Sequence, residues 1–326
     1  MKRLSLILST LLLCSASLAS PDSLRAEFID RMVSEHGFDA AALGDLLDKA
    51  QVRQSILDAI ARPAEKRLNW GEYRKIFLTP ERVRGGLAYW KKNERILSRA
   101  QEKYGVPPEI IVAIIGVETR YGRHAGTYPV LDALTTLGFH YPPRAAFFRR
   151  ELEQFLLLAR TEGMDPSQPL GSYAGAMGRP QFIPSSYRSY AIDFDADGKR
   201  NIWDDDADVI GSVANYFARH GWQAGQTVAR RVHGASAVSP ELIQDDAKPD
   251  RPVSAFAAKG IPVDPTLPPD APAALLALQT DQGTQYWLAL TNFYVITRYN
   301  HSPLYAMAVY QLADAIKRLH KPETDD

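Results

Sequence analysis

Glu118 closes a run of Ile110, Ile111, Val112, Ile114, Ile115 and Val117, the most apolar stretch beyond the N-terminal twenty residues. It follows Ile111 by seven residues, Ile114 by four and Ile115 by three, positions that share one face of a helix. A carboxylate in a buried stripe is costly as an anion, so desolvation predicts a raised pKa and a protonated group near neutral pH. A general acid for glycosidic cleavage needs that property. The spacing leaves open a second reading, a structural glutamate paired with Arg120, Arg123 or another arginine.

A second constellation is acidic. Asp193-Phe194-Asp195-Ala196-Asp197-Gly198-Lys199-Arg200-Asn201 places oxygen donors at loop positions 1, 3, 5 and 9 and glycine at position 6. This is an EF-hand-type pattern, in which glycine makes a sharp turn and hard oxygens suit a calcium ion. The candidate ligands are Asp193, Asp195, Asp197 and the backbone of Lys199, closed by Asp208 or by Asp204. Position 12 is Asp204 rather than glutamate, and a longer loop closed by Asp208 is the preferred reading. Calcium here would be structural, and a solvated acidic turn is the alternative. The seven histidines show no metal-ligand spacing, and no organic cofactor is expected.

Two further groups could contact a ligand. Gly171-Ser172-Tyr173-Ala174-Gly175-Ala176-Met177-Gly178, followed by Arg179-Pro180-Gln181-Phe182, is rich in small residues that permit close backbone approach, to a ligand or to another segment. It matches neither a phosphate loop nor a nucleophile elbow. Tyr294, Tyr299, Asn300, Tyr305 and Tyr310 fall within seventeen residues. Each tyrosine offers a flat apolar face and a hydroxyl donor, or simply half-buries itself along an amphipathic helix.

These groups need a scaffold, and the pattern around them is mostly helical. Apolar residues three and four apart run from 23 to about 104. Further helices are expected from Pro107-Pro108 to about Tyr121, over 147–162, over 207–221 and from 291 to 319. Residues 163–184 and 193–208 read as irregular. Between 225 and 287 the texture changes: eight prolines lie in 240–272, beside short strand-like runs at 227–232, 274–279 and 285–290. The fold class is therefore predominantly α (α+β), with a small β-containing part and no internal repeat.

The 326 residues include 38 basic and 38 acidic side chains, a balance that argues against broad association with nucleic acid or an anionic bilayer. Lys2 and Arg3 precede an apolar run from Leu4 to about Leu13 and small residues up to Ala19, the pattern of a secretory signal over residues 1–19. Its removal takes two basic residues and no acidic one, leaving a net charge of −2. Cys14, the only cysteine, lies within it, so the remainder has no disulfide or thiol nucleophile. Export to the periplasm is the expectation. The alternative is a lipid anchor at Cys14, since Leu11-Leu12-Leu13-Cys14 resembles a lipobox except for the bulky Leu13.

Taken in order, the segments resemble the lytic murein transglycosylase B family, glycoside hydrolase family 103, from about Arg62-Pro63-Ala64-Glu65 to Gln311. The most specific pieces are Ile115-Gly116-Val117-Glu118-Thr119-Arg120-Tyr121-Gly122-Arg123, Leu131-Asp132-Ala133-Leu134-Thr135-Thr136-Leu137 and Gly175-Ala176-Met177-Gly178 with Gln181-Phe182. Gly211-Ser212-Val213-Ala214-Asn215-Tyr216-Phe217 and Tyr299-Asn300 complete the set. The resemblance implies a lysozyme-like helical core at 105–224, an N-terminal helical region at 20–104, a β-containing subdomain at 225–290 and a C-terminal helix at 291–326. It also implies cleavage, without water, of the β-1,4 bond between N-acetylmuramic acid and N-acetylglucosamine in peptidoglycan, leaving a 1,6-anhydro end. Glu118 falls on the family's single acid/base. Ser172, Gln181, Tyr216, Tyr299, Asn300 and Tyr305 match residues of the substrate groove, as do Tyr73 and Arg144. Two departures stand out: Arg179-Pro180 occupy variable positions, and the acidic loop is one residue longer than in some relatives. The implied partners are peptidoglycan strands and other cell-wall enzymes, with the chain a monomer.

Two readings compete with a lytic transglycosylase. A hydrolase of the same polymer needs a second carboxylate to activate water, and Asp132, the next candidate, reads better as structural. A non-catalytic wall-binding scaffold would have no need of Glu118 in its apolar setting.

Overall fold

The computed structural model describes residues 20–61, 68–235 and 238–320. The expected signal, Cys14 and the Arg62-Pro63-Ala64-Glu65 motif lie outside these residues. The chain divides into two compact units, one ending at Lys49 and one beginning at Ala50. In the first, α1 (Pro21–His36) opens on Ser20, whose side chain accepts from the Ser23 N–H, and closes on Gly37 in the left-handed conformation. Arg25 reaches from α1 to Asp48 at 2.7 Å, tying down α2 (Ala40–Lys49).

The second unit is a helical body with one sheet. It begins with α3 (Gln54–Ile60), α4 (Trp70–Phe77), α5 (Pro80–Lys92) and α6 (Glu94–Tyr104). Helix α4 starts with a capping box between Asn69 and Glu72, and α5 starts on Thr79 followed by Pro80. Then comes α7 (Pro108–Thr119), in which every residue except Glu118 is buried. An all-round apolar helix has to be surrounded, and α5, α6, α11 (Asp206–Arg219) and α14 (Pro303–His320) all pack against it. Helices α8 (Val130–His140) and α9 (Ala145–Glu162) pack against each other, and α10 (Pro184–Tyr190) packs on α9. Strands β1 (Tyr128–Pro129) and β2 (Leu170–Gly171) pair across the entry to α8.

The sheet has the antiparallel order β3–β6–β5–β4, from β3 (Ala229–Val232), β4 (Arg251–Pro252), β5 (Pro272–Thr280) and β6 (Gly283–Leu290). The short α12 (Val253–Ala257) covers one face, burying Val253 and Phe256 with Leu275, Leu288 and Leu290. Proline falls where a sheet tolerates it: Pro252 lies in edge strand β4, opposite Pro272 at the start of β5.

Three local readings are corrected. The C-terminal segment is not one helix: α13 (Thr291–Ile296) ends, and α14 begins only at Pro303. The Thr297 hydroxyl turns back to the Tyr294 carbonyl at 2.6 Å, and the residue before a proline is pushed out of the helical region. Helix α7 stops at Thr119, because Arg120 and Tyr121 both have left-handed backbone, φ 49° and 63°. Helix α8, which carries Leu131 to Leu137, was not anticipated as a helix; it is buried on nearly every side, so its apolar pattern lacks a polar face.

Gly116 shows how close the packing around α7 is. A Cβ there would lie 2.6 Å from the Tyr121 hydroxyl and 2.7 Å from its ring, and Gly85 and Gly86 on α5 make room for the same ring. The replacement Gly116→Ala should therefore destabilise the fold by about 1–3 kcal/mol through overpacking, despite alanine's better helix propensity. Urea unfolding of the two proteins at neutral pH checks this.

Candidate active site

The last turn of α7 leaves carbonyls with no partner inside the helix. Arg82 of α5, buried beside the Phe77 ring, donates to the Gly116 carbonyl at 2.7 Å and the Val117 carbonyl at 3.3 Å. Thr119, fully buried, sends its hydroxyl toward the carbonyls of Ile115 and Arg179 and accepts from the Gly122 N–H at 3.0 Å. The Tyr121 hydroxyl donates to the Arg82 carbonyl at 2.7 Å. The turn is thus held from three directions while Glu118 emerges half-buried. The expectation of a buried stripe is corrected in this respect: α7 is buried all round, and Glu118 is its one side chain that leaves the core.

Four tyrosines expected in the groove gather near this carboxylate from separate elements. Tyr305, on α14 and 3% exposed, donates its hydroxyl to Glu118 Oε1. Tyr299 lies in the break between α13 and α14 and donates to the Pro180 carbonyl at 2.6 Å. Tyr216, on α11, donates to the Arg298 carbonyl at 2.5 Å; its ring centroid is 4.7 Å from that of Tyr299. Tyr73, on α4 and 1% exposed, acts electrostatically on Tyr305. Burial, followed by the negative charge of Glu118, holds the Tyr299 and Tyr305 hydroxyls well above the usual range, and burial does the same for Tyr216. All three therefore stay protonated donors at neutral pH.

The small-residue loop is a backbone construction. Gly171 bridges Met177, and Met177 bridges Phe182. A Cβ on Gly126 would meet the Gly171 carbonyl at 2.0 Å, and one on Gly171 would meet the Ala176 carbonyl at 2.2 Å. The close approach that small residues permit is thus mainly backbone to backbone. Ser172 accepts from the N–H groups of Ala174 and Ala176 at 3.3 and 3.1 Å, which leaves its O–H proton available. Gln181 has φ 52° and donates to the carbonyls of Ala125 and Gly178 at 3.1 and 2.8 Å. Phe182 packs beneath Tyr216 and Tyr299, at 5.7 and 5.9 Å between centroids. Asn300 adjoins Tyr299, and its carbonyl accepts from the Ser302 N–H at 2.7 Å. Arg144 is exposed and lies over the rings of Phe147 and Phe148 at the start of α9.

In the acidic loop, one carboxylate oxygen from each of Asp193, Asp195 and Asp197 lies within 4.8 Å of the others. Asp208, 1% exposed, accepts from the Phe194 and Asn201 N–H groups, both at 2.7 Å, and so holds the two limbs of the loop together. Burial pushes its carboxyl up, and the charges of Asp205 and Asp195 add to that. The Lys199 N–H donates to Asp197 at 2.8 Å. The Asp204 side chain is exposed, while its carbonyl accepts from Arg179 at 3.2 Å. The three clustered carboxylates, hard oxygens around one point, fit a calcium-sized cation.

One polar centre escaped the sequence reading. Asp206 receives the Tyr89 hydroxyl at 2.9 Å, the Lys92 ammonium at 2.8 Å and the Arg179 guanidinium. It links the first turn of α11 to the loop that holds Thr119 and Tyr299. Nothing in the run from Asp204 to Asp208 separates it from its neighbours by type.

The sequence model of the transglycosylase SLT domain matches residues 21–314. The chain belongs to this family. It is 48% identical over 299 residues to membrane-bound lytic murein transglycosylase B of Escherichia coli (strain K12), covering 89% of this chain and 81% of that protein. Soluble lytic transglycosylase SltB1 from Pseudomonas aeruginosa superposes with a TM-score of 0.84 at 50% identity, over 90% of this chain and 98% of that one. Escherichia coli Slt35, solved in complex with calcium, superposes with a TM-score of 0.82 at 48% identity, over 91% and 93% of the two chains. The lysozyme-like helical fold and the activity of a lytic murein transglycosylase, an enzyme that cleaves peptidoglycan, follow from this membership.

Asp206 supplies a test of how the site is held. Burial raises its carboxyl, but hydrogen bonds from Lys92 and Tyr89 and the charges of Arg179 and Lys92 outweigh this and hold it below the usual value. A depressed folded pKa contributes stability above the unfolded value of about 4 and loses it as pH falls through the folded one. Asp206→Asn should therefore cost about 1–3 kcal/mol at pH 7. The gap to the native protein should close toward pH 3 in matched urea unfolding curves.

Proposed function

We propose that Glu118 is the single acid/base of a water-free cleavage between N-acetylmuramic acid and N-acetylglucosamine. The observation that supports this most directly is the placement of its carboxylate: the one half-exposed side chain of a buried helix, oriented by a tyrosine hydroxyl that stays protonated. Protonated Glu118 gives its proton to the glycosidic oxygen as the bond to the muramoyl anomeric carbon breaks, and N-acetylglucosamine leaves with a free 4-hydroxyl. The substrate's own N-acetyl carbonyl stabilises the electron-poor carbon. The Glu118 carboxylate then takes the proton of the muramoyl 6-hydroxyl as that oxygen bonds to the same carbon, closing the 1,6-anhydro ring and restoring the acid. Proton and bonds balance without water, so no second carboxylate is needed.

In this reading Tyr305 positions the carboxylate, Tyr299 offers the face against which a sugar ring lies, and the buried Tyr73 and Tyr216 back the groove from within. Ser172, Gln181 and Asn300 supply polar contacts to the N-acetyl and hydroxyl groups, with Arg144 at the periphery. The wall polymer as substrate accords with an export signal at residues 1–19 and a periplasmic location. Among the described residues, no helix is long and apolar enough to cross a membrane.

Mass spectrometry of products from purified protein and peptidoglycan tests the reaction. Muropeptides one water lighter than hydrolysed counterparts are expected; reducing-end products would mean hydrolysis instead. Glu118→Gln should lower the rate by at least about a thousandfold while glycan binding in a pull-down stays near that of the native protein. Cleavage at the native rate would remove Glu118 from its role.

The acidic loop is proposed to hold one calcium ion through Asp193, Asp195, Asp197, the Lys199 carbonyl and Asp208. When bound, the ion would offset half the charge of these four carboxylates and fasten the loop to the first turn of α11. Calcium should raise the melting temperature by several degrees, and Asp195→Asn should abolish most of that rise in a thermal shift series. An equal rise in the variant would place the ion elsewhere.

A further inference from the structure

Arg179 has no part in the cleavage scheme, yet separate parts of the chain meet on it. Its N–H donates to the Ile202 carbonyl at 2.8 Å, and its own carbonyl accepts from the buried Thr119 hydroxyl at 3.1 Å. The next carbonyl, that of Pro180, accepts from the Tyr299 hydroxyl at 2.6 Å. The Arg179 stem lies over Gly122, where a Cβ would meet its Cδ at 3.0 Å and its Nε at 2.8 Å. The guanidinium reaches the Asp206 carboxylate and, at 3.2 Å, the Asp204 carbonyl.

A guanidinium that takes an anion from solution needs its fork open. Here Asp206 already faces it, and that carboxylate is itself held by the Tyr89 hydroxyl at 2.9 Å and the Lys92 ammonium at 2.8 Å. The side chains of Arg179 and Asp206 are 19% and 12% exposed, so the pair is screened less than one on the surface. A planar fork fixes direction as well as distance, and it ties the Arg179–Pro180 backbone to the first turn of α11. One carbonyl of that backbone meets the residue after Glu118. The other meets Tyr299, whose hydroxyl feels the Glu118 charge. A carboxylate that gives and then takes a proton tolerates little displacement, since an error of about 1 Å can cost about a hundredfold in rate.

We propose that Arg179, locked by Asp206, is a positioning residue for the reaction: through two consecutive carbonyls it sets where the Glu118 turn and Tyr299 stand relative to each other. This deepens the reading of Glu118 as acid/base and rests on it. With its fork closed by Asp206, Arg179 offers no free charge to the glycan, so its loss acts on turnover rather than on binding.

Steady-state cleavage of soluble peptidoglycan strands by the full chain, at fixed calcium and well below the unfolding temperature, tests this. Arg179→Met keeps a stem over Gly122 and removes the fork; Arg179→Lys restores the charge alone. Arg179→Met should lower kcat about tenfold or more with KM within about twofold, and Arg179→Lys should recover part of the loss. Asp206→Asn should lower kcat to a similar degree. The double variant R179M/D206N should lose no more than the worse single one, as two groups acting through one contact do. Backbone hydrogen exchange in folded Arg179→Met should quicken over residues 119–123. A lowered urea midpoint with native kcat would mean a structural role only and would overturn the proposal. A raised KM at native kcat would overturn it too, by making Arg179 a contact to the glycan, as would a lowered kcat with native exchange over 119–123. The acid/base reading fails separately, through reducing-end products from the native protein or native-rate cleavage by Glu118→Gln. Anhydro products formed at the native kcat by Arg179→Met would leave that reading intact and sink the positioning role alone.

Discussion

A helix buried on all sides can present a charged side chain only if its last turn breaks out of the core, and this constraint organises the molecule. Helix α7 reaches the limit of burial, with Glu118 as its one side chain outside the core. The break needs two consecutive left-handed residues, Arg120 and Tyr121, which are costly for side chains with a Cβ. What offsets that cost is the Arg82 guanidinium on the freed carbonyls, the Thr119 hydroxyl and the Tyr121 ring set into the space left by Gly85, Gly86 and Gly116. The position of the carboxylate is therefore an outcome of α5 and α7 together.

Around that carboxylate the structure gathers phenols whose hydroxyls face backbone carbonyls or Glu118 itself. Burial keeps them protonated, so they act as fixed donors. The small-residue loop completes the wall from the other side: its glycines let backbone lie on backbone, and its carbonyls receive Thr119 and Tyr299. Rigidity of this kind suits the two proton transfers proposed for Glu118, because donor and acceptor distances would change little between them.

The acidic loop and the site are mechanically linked. Asp208 clamps the loop from within, and two residues earlier Asp206 reaches Arg179, Tyr89 and Lys92. Arg179 then passes its carbonyl to Thr119 and, through Pro180, the next carbonyl to Tyr299. The acidic loop and the segment beside Glu118 are thus joined through α11 and Arg179.

Sequence by itself determined the elements whose signal is local. The apolar run ending in Glu118, the oxygen spacing of residues 193–201, the strand-like runs within 225–290 and the prolines that mark helix entries are legible because their physical cause lies within a few residues. The family motifs extended this to Glu118 and its tyrosines as a set. Tertiary structure alone decided what depends on distant partners. It brought Tyr73, Tyr216, Tyr299 and Tyr305 together from four elements, placed Arg82 under the end of α7, and singled out Asp206 among five residues of which four are acidic. It also broke the C-terminal helix at residues 297–302. Periodicity reports which face of an element is apolar; it holds no information on which other element will cover that face or which polar group will meet an unpaired carbonyl. Those choices come from packing the whole chain, where each buried polar group has to find a partner that local sequence does not name.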